Sequence, residues 1–173
     1  MSDVNLKNEL AKSIMDFRFP RYSELPDMGL YLEQVVRYVN RFLTLINGSD
    51  ITPSMVSNYV KQKAVPAPRR KLYGADSIAY LIFIAYMKPV ASIENIRILE
   101  EIQKNSYSLQ VAYDYFCSEF ENLLQYVYGI KPEPDTVGND ATPEKELLRS
   151  ALLSITYRIY FYDYLGALQN SRD

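Results

Sequence analysis

The chain has 173 residues, 48% hydrophobic, 23% charged and 13% aromatic, with a formal charge of -2, a composition that excludes a disordered chain or a fibre and suits a sizeable core. With no His and a single Cys, zinc sites of thiolates and imidazoles, His-based triads and the Cys-His pair are all excluded. The six Gly residues stand singly and form neither a phosphate loop nor a dinucleotide fingerprint, so no enzyme activity, metal or cofactor is expected. The longest apolar run, Ile78 to Met87, is ten residues, well short of the ~20 that span a bilayer. The N-terminus has no secretory pattern, so a soluble, cytoplasmic protein with no membrane partner is expected.

Helical punctuation recurs and strict alternation is nearly absent, which predicts a mostly α protein. Leu6, Leu10, Ile14 and Phe17 repeat at helical spacing after Ser2-Asp3, giving a short first helix that Pro20 stops; a linker follows from Arg21 to Gly29. The next helix is expected from about Leu30 to Ile46, with Leu32, Val36, Val39, Leu43 and Ile46 on one face and Glu33, Arg37 and Arg41 on another. After the turn Asn47 to Asp50, Thr52 caps a helix that starts at Pro53 and runs to about Lys63.

Val65-Pro66-Ala67-Pro68 ends that helix, and Arg69 to Gly74 reads as a basic extended loop. Asp76 is the expected cap of an apolar helix, Ser77 to Lys88, and Ser92 caps another, Ile93 to about Lys104. A long helix from about Ser108 to Tyr128 stops at Gly129. Ile130 to Ala141 is a loop, and Thr142-Pro143 opens a last helix to about Leu168.

Helix, short turn, helix, basic loop, helix is the order of a winged helix-turn-helix. At ~100° per residue, Ser54, Ser57, Asn58, Lys61 and Gln62 share one arc, whereas Met55, Val56, Tyr59, Val60 and Lys63 lie opposite. A recognition helix needs that division, because base edges and phosphates are read by short amides, hydroxyls and cations while the other side is held by a core. From Arg37 to Lys71 there are seven bases (Arg37, Arg41, Lys61, Lys63, Arg69, Arg70 and Lys71) and one acid, a balance of +6 that leaves -8 for the rest. A concentrated basic patch on an acidic chain is the electrostatic footprint of a DNA-binding protein. A solvated basic face is the plainer reading of such a run.

At these residues the sequence resembles a bacterial family catalogued as domain of unknown function 1836, whose members are regarded as transcriptional regulators. The resemblance covers about residues 20 to 105. It rests on Leu25-Pro26-Asp27, Leu30 to Val36, the stretch from Ile51 to Lys61 that contains Thr52-Pro53-Ser54-Met55 and Asn58-Tyr59-Val60-Lys61, and Lys71 to Ala85. The piece from Asn58 through Pro68 to Phe83, with Ser92 to Ile96 beyond it, is also similar to the winged DNA-binding domain of MerR-type regulators. That similarity implies major-groove roles for Ser57, Asn58 and Lys61 and backbone contacts for Arg69, Arg70 and Lys71. Asn58-Tyr59 stands where MerR-type helices commonly carry arginine-tyrosine, and the C-terminal cysteines of metal-sensing relatives are absent apart from Cys117.

Tyr113, Phe116, Phe120, Leu124 and Val127 form one stripe; Leu148, Leu152, Ile155, Ile159 and Tyr162 form another, widened by Leu153, Tyr157, Tyr160 and Tyr164. Helices this apolar must be covered on more than one side, by a core and a homodimer interface or around an aromatic pocket for a small-molecule effector. The expected organisation is residues 1–29 as N-terminal helix and linker, 30–105 as the winged helix-turn-helix, and 106–173 as a helical dimerisation and effector region of long, Tyr-rich helices. The expected function is a sequence-specific regulator that binds double-stranded DNA as a homodimer. The alternative is an α-helical adaptor that docks an acidic protein through the same patch.

Overall fold

A computed structural model describes residues 3–46, 50–138 and 140–170. Among them seven helices follow in order: α1 (Asp3–Ile14), α2 (Leu32–Asn40), α3 (Pro53–Lys61), α4 (Ala75–Met87), α5 (Ile93–Ser106), α6 (Leu109–Val127) and α7 (Pro143–Asn170). The described residues hold no β-strand, only two isolated antiparallel bridges, Leu30 with Tyr73 and Arg69 with Leu72. None of the described helices is long and apolar enough to cross a membrane. The chain forms two compact units, Phe19–Asp114 and a second made of Met1–Arg18 with Tyr115–Asp173, so the boundary falls within α6.

In the unit Phe19–Asp114, α4 is the centre. Ile78, Leu81, Ile82, Ile84, Tyr86 and Met87 are all fully buried, as a helix apolar around its whole circumference requires. Helix α2 packs on it from one side and α5 from another, while α3 packs on α2. The Tyr86 hydroxyl donates to the Phe42 carbonyl at 2.6 Å, which satisfies its one polar atom inside the core. Ser92 caps α5 by accepting from the Asn95 N–H at 3.2 Å.

Several helix limits differ from the sequence reading. Helix α2 ends at Asn40 rather than Ile46; Phe42, Leu43 and Ile46 close i to i-3 hydrogen bonds on Val39, Asn40 and Leu43. Leu43 and Ile46 keep their helical spacing and are buried, but in tight turns that reverse the chain. Leu30 lies before the helix, paired with Tyr73. Asp76 does not cap α4: Gly74 holds that position, and Asp76, one residue inside, accepts from the Tyr22 hydroxyl. The turn residues 47–49 and Ser2 lie outside the described residues.

Glu100 of α5 is 3% exposed, and its Oε1 has no hydrogen-bond partner. Burial lifts its pKa from the ordinary 4.5 to about 7 against the opposing pull of Lys104 and Arg97. The folded chain therefore holds this proton more tightly than the unfolded one. Its contribution to stability is complete below about pH 4.5 and is lost as the pH rises through about 7. Glu100→Gln should raise stability at pH 8 by about 1–3 kcal/mol and flatten the profile between those limits. Melting curves at pH 5 and pH 8 check this; an unchanged difference between the two pH values would contradict it.

In the other unit, Leu6, Leu10 and Ile14 of α1 are buried, and α1 packs against α7. Phe116, Cys117, Phe120, Leu123 and Leu124 on α6 are buried, as are Leu152, Ile155 and Ile159 on α7. Glu119, fully buried, is met by Arg149 of α7 at 3.0 Å. The Asn122 amide exchanges two hydrogen bonds of 2.8 Å with the backbone of Asp135 and so fixes the loop after α6. Two members of the expected α7 stripe are not core: Tyr162 is 48% exposed and Tyr157 51%. Tyr157 lies on the opposite side of the helix from Leu152 and Ile155, whereas Tyr162 shares their side but stands past the last buried residue, Ile159.

Candidate nucleic-acid interface

Helix α3 begins as its sequence dictates. Thr52 accepts from the Met55 N–H at 3.2 Å, Pro53 fills the first helical position, and no acid lies in the first turn. Its N-terminal dipole end is thus left positive. Val56 and Tyr59 are buried, which orients the helix. Ser54, Asn58 and Lys61 are exposed on the opposite side, with Ser57 and Gln62 half-buried beside them.

The end of α3 is a Schellman motif. The Ala64 N–H donates to the Tyr59 carbonyl and the Lys63 N–H to the Val60 carbonyl, both at 3.0 Å. Lys63 takes the left-handed position with φ 59°, where glycine is usual. It therefore leaves the helical arc in which the sequence placed it and stands exposed past the helix end. Beside it lies an open cleft of about 430 Å³ lined by Val60, Lys63, Pro66, Asp76, Tyr80 and Lys104, among others.

Five residues past Ala64, the basic loop folds into a two-residue hairpin. Arg69 and Leu72 exchange backbone hydrogen bonds of 3.0 and 2.9 Å, and the residues between them, Arg70 and Lys71, have φ 49° and 67°. Two successive positive φ values define the mirror-image turn that matches strand twist, normally built from Asn-Gly. Left-handed backbone costs a non-glycine residue ~1–2 kcal/mol, so this tip carries local strain at two exposed cations. Such strain at a surface tip is characteristic of functional positions.

One backbone pairing and one side-chain clamp, made by the Asn40 amide, hold the assembly. Leu30 and Tyr73 exchange hydrogen bonds of 2.9 and 2.8 Å, which ties the base of the hairpin to the segment that leads into α2. Asn40, the last residue of α2, donates to the Ile51 carbonyl at 3.0 Å and accepts from the Ile51 N–H at 2.9 Å, which fixes the start of α3 against α2. Sequence reading missed both. Gly29 has φ 77°, and a Cβ there would sit 3.0 Å from the Leu72 Cβ. Gly29→Ala should cost about 1–3 kcal/mol through backbone strain and crowding. Faster hydrogen exchange at the Tyr73 and Leu30 amides would locate the damage; wild-type exchange there would contradict it.

All seven bases between Arg37 and Lys71 are exposed. Arg41 lies 5.8 Å from the Tyr38 ring and 5.9 Å from the Phe42 ring, and Arg37 stands one turn before it on α2. Lys61 ends the polar side of α3, and Arg69, Arg70 and Lys71 surround the hairpin tip. Among the described residues no carboxylate pairs with these three. Their charge faces solvent.

The family model described as Domain of unknown function (DUF1836) matches residues 20–116, more than half of the 173 residues. The chain belongs to the DUF1836 family. No curated protein and no solved structure matches the chain. The DUF1836 segment contains every candidate interface residue, the Asn40 clamp and the Gly29 contact. It also spans the whole of the unit Phe19–Asp114 but for its first residue.

Proposed function

We propose that this DUF1836 protein is a sequence-specific DNA-binding regulator of transcription of the winged helix-turn-helix, MerR-like kind, working in the cytoplasm as a homodimer. In this reading α3 enters the major groove, where Ser54, Ser57, Asn58, Lys61 and Gln62 meet base edges and nearby phosphates. Arg69, Arg70 and Lys71 lie on the phosphate backbone, with Lys63, Arg37 and Arg41 adding positive potential. The observation that carries the reading is an exposed polar helix face followed, five residues past the end of its capping motif, by a strained turn whose tip is entirely basic. The order Leu30 pairing, α2, α3, hairpin, α4 supports it, since a winged helix-turn-helix connects its parts in that sequence. An acidic protein docking on the same bases would need the charge but not the sided polar helix.

Fluorescence anisotropy tests this with duplex from the gene's own upstream region and a scrambled duplex, each at two salt concentrations. The reading requires tighter binding to the upstream duplex and affinity that falls steeply with salt. Equal binding to both sequences removes the specific reading, and no duplex binding at low salt leaves the protein-docking alternative.

A further inference from the structure

Helix α7 has a second face that the fold does not use. At ~100° per residue, Leu147, Ser150, Ser154, Phe161, Leu165 and Leu168 fall in an arc of about 60°, and all six are exposed. Phe161 is 59% exposed and Leu147 47%. Leu147 at one end and Phe161, Leu165 and Leu168 at the other are apolar, with Ser150 and Ser154 between them, and a cluster of exposed large apolar residues such as Phe161, Leu165 and Leu168 marks an interaction surface. The core of its own unit is reached from other positions, Leu152, Ile155, Thr156 and Ile159.

We infer that this face pairs with the same face of a second copy, antiparallel about a two-fold axis near Tyr157 and Arg158. The residue order carries the inference. In an antiparallel pair the two sequence numbers opposite each other have a constant total, and one register satisfies the whole arc. Leu147 then meets Leu168, Ser150 meets Leu165 and Ser154 meets Phe161, so each small residue faces a large one, as interdigitated helix packing demands. At the centre Tyr157 meets Arg158, whose guanidinium already lies 4.8 Å from the Tyr162 ring of its own helix, and the second ring supplies a further cation–π contact. A two-fold axis requires every contact to occur twice. This register does so without setting an acid against an acid.

The stripe is roughly 32 Å long at the helical rise of 1.5 Å per residue. It would bury on the order of 1,100 Å² over both copies, near the lower end for a specific interface. An area of that size belongs to weak, reversible association rather than to an obligate dimer. The purpose of the pairing, to present two α3 helices to two half-sites, rests on the regulator reading. The pairing itself does not.

Sedimentation equilibrium of the full chain should show a 20.0 kDa protomer passing to twice that mass over the micromolar range. Phe161→Glu should weaken the association at least tenfold while circular dichroism and the melting temperature stay near wild type. For the register, an oxidised mixture of Ser150→Cys and Leu165→Cys chains should give a cross-linked heterodimer, and neither variant alone should cross-link. A protomer mass at 100 µM, an association indifferent to Phe161→Glu, or cross-linking of Ser150→Cys with itself would overturn the proposal. Dimerisation without any duplex binding would leave the pairing standing and remove the regulator reading.

Discussion

Arg70→Asn combined with Lys71→Gly should make the protein more stable and a weaker DNA binder. Asn-Gly is the pair that the mirror-image turn prefers. The substitution keeps the hairpin that Arg69 and Leu72 close while relieving two left-handed non-glycine residues. Relief of that strain should add about 1–3 kcal/mol, or roughly 3–8 °C in melting temperature. Loss of the two phosphate contacts proposed for Arg70 and Lys71 should lower the slope of log affinity against log salt by about 1.8 per protomer, which is about 60-fold in affinity at 0.1 M salt relative to 1 M. Alanine at both positions would confuse charge with geometry, because alanine also resists positive φ. Thermal melts and a salt series on one preparation measure both effects. Unchanged duplex affinity in the stabilised variant would show that the hairpin tip does not touch DNA.

Asn40→Ala should be the most damaging single change at the candidate interface. It leaves the partly buried N–H and C=O of Ile51 without their partners, at 2.9 and 3.0 Å in the wild type. Each group abandoned in this way costs about 1–3 kcal/mol, so an overall loss of about 2–4 kcal/mol and roughly 5–12 °C is expected. Asn40→Asp retains the acceptor for the Ile51 N–H and should fall between the two. The start of α3 is fixed by this clamp, so DNA affinity should fall in Asn40→Ala even at temperatures where the chain is fully folded. Urea titration with unchanged slope and a lower midpoint would identify a stability effect. A midpoint within error of wild type would show that the clamp is dispensable.

Local chemistry was legible in the sequence, and long-range pairing was not. Thr52 and Pro53, Ser92 and Gly129 mark helix ends through contacts within a turn of chain, and the structure places the ends there. The end of α2 was hidden because Leu43 and Ile46 keep helical spacing while buried in turns. Leu30 continued an apolar pattern into the helix, yet its partner is Tyr73, and no local pattern reports a backbone bridge across that separation. Asp76 looked like a cap from residue type alone; its carboxylate instead meets the Tyr22 hydroxyl, a partner from a distant segment.

The candidate interface divides in the same way. The polar side of α3 could be read from spacing because helical geometry fixes which residues share a face. The left-handed tip could not be read, since Arg70-Lys71 lacks the Asn or Gly that ordinarily announces it. Nothing in the local sequence around Asn40 marks it as a clamp. Its role appears only when the chain beyond the turn returns to it.

The most direct test of the proposed DNA binding is backbone NMR of the full chain titrated with duplex from the gene's own upstream region. Shift changes concentrated at Ser54, Ser57, Asn58, Lys61 and Gln62 and at Arg69 to Lys71, with α5 unmoved, are predicted. Shifts that spare α3 and the hairpin while another surface responds would contradict it.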